Sequence, residues 1–107
     1  MKVSIDLDNT FTKYPFFLTR LALQFKEWGH EVGILTGRTR ENVPDGPWDF
    51  VIACSVEESK PYTTDEQKAR EWKPAKIREH HIDIHFDDFA DEILKGDVGG
   101  CKVIKVT

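Results

Sequence analysis

The chain has 107 residues, 39% hydrophobic and 32% charged, with fifteen Lys and Arg against nineteen Asp and Glu and a net charge of −4. That is the size of one domain with one core, and the composition is too apolar for a disordered chain. The acidic balance excludes a broad electrostatic grip on nucleic acid and leaves room only for a local basic patch.

No apolar run approaches the ~20 residues of a membrane-spanning helix. Acidic Asp6 and Asp8 come too early for a secretory leader. Cys54 and Cys101 are too few and too far apart for a disulfide framework or a zinc site, so the expectation is a cytoplasmic protein with two reduced, buried thiols.

Val3 to Leu7 reads as a first strand, ending in Asp6-Leu7-Asp8, and Asn9 to Tyr14 as a connection. Pro15 suits the first position of a helix, where its missing N–H costs nothing. Phe17, Leu18, Leu21, Ala22, Phe25 and Trp28 then recur at three- and four-residue spacings, which predicts one apolar helix face with Trp28 in the core and Gly29 as the stop. Glu31 to Leu35 is a second strand running into Thr36-Gly37-Arg38, and Arg38 to Trp48, with Pro44, Gly46 and Pro47, is mostly loop.

Phe50 to Cys54 is a continuous apolar run, as in a strand buried on both faces. Ser55 to Thr63 is irregular, and Thr64 to Gln67 opens a helix through a capping box. Pro74 is expected to interrupt that helix, because the residue before a proline is pushed out of helical conformation. This places Lys73 just before a new helix. Ile82 to Phe86 alternates as a fourth strand and ends in Asp87-Asp88; a short helix with Phe89, Ile93 and Leu94 stops at Gly96; Lys102 to Val106 is the last strand.

Strand and helix alternating in this way predict a three-layer α/β domain with a mainly parallel sheet. Functional residues in such sheets gather at the carboxyl ends of the strands. Asp6 and Asp8 follow the first strand, Thr36 the second, and Asp87 and Asp88 the fourth. With Asp91, five carboxylates from distant segments converge, and like charges that close call for a cation. Oxygen donors with no His or Cys cluster favour Mg²⁺ over zinc. The Thr36 hydroxyl, the Gly37 amide, Arg38 and Lys73 complete a set suited to a phosphoryl group.

At these residues the chain resembles the haloacid dehalogenase-like phosphohydrolase superfamily. Val3-Ser4-Ile5-Asp6-Leu7-Asp8-Asn9-Thr10 is similar to its hydrophobic-strand DxDxT motif and Ile34-Leu35-Thr36-Gly37 to its Thr-Gly motif. Lys73 is similar to its lysine motif and Phe86-Asp87-Asp88 to its terminal acidic motif, all in the family's order. The resemblance implies a Rossmann-like sheet of order 3-2-1-4-5 and a Mg²⁺-dependent phosphatase. Asp6 would be the nucleophile, and Asp8 the acid and then the base. Mg²⁺ would be held by Asp6, the Asp8 carbonyl and Asp87, while Thr36, Gly37 and Lys73 bind the phosphoryl oxygens.

Lys76 competes with Lys73 for the lysine's place, and Lys73 is preferred by spacing. Asp88 and Asp91 are candidates for orienting metal-bound water, and Arg38 and Arg40 for reaching substrate. Phe86 stands where the family more often has glycine. There is no room for the family's cap domain, and an open site suits a phosphorylated nucleic-acid end or a phosphoprotein, unless the loops screen a nucleotide.

Two other classes fit part of the pattern. One is a phosphoacceptor or binding module without turnover; the other is an interaction subunit whose acidic edge docks a basic partner. His30, His80, His81 and His85 lack metal-ligand spacing, with His80 and His81 at the surface and His85 lining the sheet near the site. Trp48 and Trp72 pack rather than stack on a base, and Lys102 and Lys105 are solvated edge charges.

Overall fold

A computed structural model describes residues 1–107. Five parallel strands, β1 (Lys2–Ile5), β2 (Glu31–Thr36), β3 (Phe50–Ala53), β4 (Ile84–Asp87) and β5 (Lys102–Lys105), form one sheet in the order β3-β2-β1-β4-β5. This is the α/β fold expected from the alternation of strands and helices, in the strand order that the resemblance implies. Hydrogen bonding continues past β1, where the Asp6 amide donates to the Phe86 carbonyl at 2.9 Å. The two acidic segments therefore leave adjacent central strands side by side.

Alternation divides the core into two. Val3, Ile5, Val32 and Ile34 face α1 (Pro15–Glu27) and pack with Leu18 and Ala22. Leu35, Ile52, Trp72, Ile77 and Ile93 fill the opposite side, under α3 (Asp65–Gln67), α4 (Lys73–Glu79) and α5 (Ala90–Ile93). α1 starts at Pro15 and ends before Gly29, whose φ of +92° is a left-handed stop that glycine adopts without strain. Both cysteines are buried and free, and no helix is long and apolar enough to cross a membrane.

Four expectations are corrected. Pro74 does not break its helix: α3 passes through a π-helical turn (Lys68–Trp72) into α4, with Lys73 itself helical at φ −64°, ψ −46°. The wider turn changes the hydrogen-bonding pattern just where proline lacks a donor. Trp28 is 64% exposed rather than core, because it caps the end of α1 beyond the supporting sheet. β3 lies at the sheet edge, so only Ile52 among its four residues is buried. Ser55 to Thr63 is not wholly irregular: α2 (Val56–Ser59) forms there, with the Ser55 hydroxyl accepting the Glu58 amide at 3.1 Å.

Candidate metal centre

Strand alternation aims Ser4, Asp6, His85 and Asp87 away from α1 and toward the side where α4 lies. Pairing puts Ser4 opposite His85. Beyond β1, a wide turn carries the chain from Leu7 to Phe11, closed by the Phe11 amide on the Asp6 carbonyl at 3.2 Å and the Thr12 amide on the Leu7 carbonyl at 3.0 Å. Asn9 takes the left-handed conformation within it at φ 59°, a position that asparagine tolerates. The turn swings Thr10 back under Asp6.

Asp6, Asp87 and Asp88 each contribute a carboxylate oxygen to a group lying within 4.8 Å of one another. Asp6 and Asp87 are buried and Asp88 is half-buried. Lys73 reaches in from the first turn of α4, its Nζ 2.8 Å from Asp6 Oδ1 and 2.6 Å from Asp87 Oδ2. The Thr10 hydroxyl lies 3.2 Å from Asp6 Oδ2 and 3.3 Å from Asp88 Oδ1, and accepts the Asp88 amide at 3.0 Å. Asp87 Oδ1 accepts the Phe89 amide at 2.9 Å.

A second layer stands behind Asp87. His85 Nε2 is 2.8 Å from Asp87 Oδ2 and its Nδ1 is 2.7 Å from Ser4 Oγ, with both residues fully buried. Burial pushes the imidazole pKa down against the pull of Asp87, so the ring is neutral. An ionised Asp87 only accepts, so Nε2 carries the proton and Nδ1 accepts from the Ser4 hydroxyl.

One ammonium between two carboxylates cannot hold both equally. Burial raises the Asp87 pKa, but Lys73 and the His85 donor outweigh it and hold that group below the ordinary carboxylate range. Burial raises Asp6 further than Lys73 lowers it, and the neighbouring Asp87 charge adds to the rise, so Asp6 moves up to about 7. Burial alone would lower the Lys73 pKa; the two carboxylates more than reverse this, and Lys73 stays charged. The three clustered carboxylates, two of them bonded by Lys73, could hold a metal ion, and an all-oxygen donor set suits a hard divalent cation.

The cluster opens into a cleft of about 210 Å³ lined by Asp6, Asp8, Gly37, Arg38, Lys68 and Lys73, among others. Asp8 is exposed at its rim and does not join the triad; the Arg38 guanidinium grips its carboxylate, with Nε 3.1 Å from each oxygen. Thr36 is fully buried at the end of β2, where its hydroxyl accepts the Arg38 amide at 3.1 Å. Gly37 lines the cleft, and Lys68 Nζ donates to its carbonyl at 3.3 Å.

Asp91 and Arg40, expected near the site, do not line the cleft. α5 turns Asp91 out to Lys105, 2.6 Å away, where its side chain is 73% exposed. Arg40 donates to the Val51 carbonyl at 3.0 Å and lines a separate groove of about 440 Å³ beside β3. Lys76 also stays outside the cluster, 3.1 Å from Glu58 and from Glu79. Trp48 packs edge-on against Phe11, and buried Trp72 donates to Glu58 at 2.8 Å.

Ser4 and Lys68 are given no role by the sequence, and Thr10 enters only as the threonine of the DxDxT-like stretch. Period two gives the signal for the first: Ser4 stands two before Asp6 and His85 two before Asp87, so each shares its aspartate's face. No protein-family model, curated protein or solved structure matches the chain.

Proposed function

We propose that the chain is a Mg²⁺-dependent phosphohydrolase that cleaves a phosphomonoester through Asp6. The carrying observation is that Asp6, at the end of the central strand, shares one cluster with Asp87 and Asp88 and is bonded by buried Lys73, while Asp8 lines the same cleft. The resemblance of Asp6 to Thr10, Thr36-Gly37, Lys73 and Asp87-Asp88 to the haloacid dehalogenase-like motifs supports the reading.

In this reading the Asp6 carboxylate attacks phosphorus and the bond to the leaving oxygen breaks, with a proton from Asp8 passing to that oxygen. Water then attacks the Asp6 acyl phosphate, gives its proton to Asp8 and releases phosphate. Asp6, Asp87 and Asp88 are the residues that would hold the cation, whose charge lets an anionic phosphoryl group approach an anionic nucleophile. In this reading Lys73 keeps Asp6 oriented, and Gly37, Arg38 and Lys68, which line the cleft, would bind phosphoryl oxygens. A cleft without a cap suits a bulky substrate such as a phosphorylated nucleic-acid end.

A phosphomonoester panel assayed with Mg²⁺ and with chelator tests the reading. Metal-dependent hydrolysis is expected, with Asp6→Asn reducing it by several orders of magnitude. No hydrolysis by the natural chain, or full activity in Asp6→Asn, overturns it.

One observation favours a second reading, a phosphoacceptor without turnover: the Asp8 carboxylate is already engaged by Arg38. Such a module binds Mg²⁺ with beryllofluoride and hydrolyses nothing. Docking of a basic partner on the acidic edge fits poorly, since Asp6 is 4% exposed and Asp87 not at all.

A further inference from the structure

The two faces of the sheet are covered unequally. α3, α4 and α5 lie over one face, whereas α1 is the one helix on the other, flanked by Phe11, Val43 and Trp48 from the loops. At the edge of α1 that second face carries Ile84 and Phe86, both half-buried against the α1-side core with Phe86 6.4 Å from the Phe25 ring, and then Ile104 on β5, which pairs with Phe86 and is 42% exposed.

α1 itself turns large apolar groups to solvent: Phe16 is 85% exposed, Phe17 66% and Leu23 50%, with Trp28 at 64% just past its end. At ~100° per residue, Phe16, Arg20, Leu23 and Glu27 fall within an arc of about 60°, opposite buried Leu18 and Ala22. Arg20 and Glu27 are both exposed, and neither has an ion-pair partner in the chain. Glu27 also occupies the last turn of α1, where the helix's own negative end disfavours an acid. The stripe thus combines large apolar groups with unpaired charges of both signs, is self-complementary in charge, and is poorly matched to its own helix.

We propose that this face is a two-fold interface with a second copy of the chain, α1 crossing its counterpart antiparallel at Leu23. A 180° rotation there sets Arg20 of one protomer beside Glu27 of the other, twice over. It lays the Phe16 and Phe17 end of each helix against the Trp28 end of its partner and opposes the two helix dipoles. A lipid surface fits less well, because the stripe includes the exposed acid Glu27 and the chain carries a net charge of −4.

Sedimentation equilibrium on the whole chain tests this. A dimer is expected for the natural chain. Arg20→Glu and Leu23→Glu should each weaken it at least about tenfold, a typical cost for a central interface residue. Arg20→Glu combined with Glu27→Arg should restore it. Circular dichroism of Arg20→Glu, a substitution at an exposed position, separates lost association from lost folding. Three outcomes overturn the proposal: a monomer at every concentration, a double variant no tighter than the single, or a monomer that instead sediments with anionic or neutral vesicles. A monomer that recruits a different protein leaves the face to that protein and overturns it equally.

Discussion

Lys73 sits 2.8 Å from one buried carboxylate and 2.6 Å from another, and its side chain is only 7% exposed. Water cannot replace it. Lys73→Met should therefore cost about 3–5 kcal/mol in urea denaturation, the range for breaking a buried pair and stranding its partner, and added Mg²⁺ should recover part of that loss. His85 acts one contact further back, through the oxygen of Asp87 that Lys73 also bonds. Partners of this kind set the orientation of a metal-binding carboxylate, and losing one typically costs ~10–100-fold in metal affinity. His85→Leu should weaken Mg²⁺ binding to that extent in thermal-shift titrations, whereas His85→Gln, which retains a donor, should lose less. Equal Mg²⁺ affinity in the Leu variant and the natural chain would limit His85 to a packing role.

At the scale of elements, the helix through Pro74 depends on a close neighbour. A Cβ on Gly96 would lie 2.4 Å from the Arg70 carbonyl oxygen and 2.7 Å from Pro74. Gly96→Ala should thus cost ~1–3 kcal/mol, the usual penalty for overpacking, seen as a lower denaturation midpoint with an unchanged slope. The same helix marks where the sequence stops being legible. Alternation and strand-end polarity located Asp6, Thr36 and Asp87, because a strand's face and its carboxyl end follow from period two and from parallel topology. Pro74 misleads because a local preference yields to tertiary packing: Pro74 is itself buried, and the π-helical turn absorbs its missing donor. Trp28 and Phe17 mislead because helical periodicity reports apolar residues, not whether a layer exists to cover them. Asp91 lies close in sequence to the acids, yet on the single turn of α5 it pairs with Lys105 instead of joining the triad. His85 lines the sheet beside the site as its strand position implies, whereas Ser4 looks like an isolated polar residue until strand pairing places it opposite His85.

For the whole molecule, pH acts through the acidic cluster. Asp6 is raised from 3.8 to about 7 by burial, despite Lys73. Between those values the folded chain holds a proton that the unfolded chain has released, so this group's contribution to stability is lost as pH rises through about 7. Asp87, held low by Lys73 and His85 against burial, acts in the opposite sense: its contribution is present above the unfolded value of 3.8 and is lost in strong acid. Metal-free protein should consequently melt at a lower temperature at pH 8 than at pH 5.5, and Asp6→Asn should flatten that slope. A divalent cation competes with the Asp6 proton, so its stabilising effect should grow over the same interval. A natural chain whose melting temperature climbs toward alkaline pH without metal would contradict the assignment. The Ser4–His85–Asp87 chain carries one more consequence. Its imidazole N–H is sealed from water and should exchange slowly enough with deuterium to give a resolved downfield proton resonance. That resonance would shift as a cation loads the far side of Asp87, giving the centre a built-in spectroscopic gauge that needs neither substrate nor turnover.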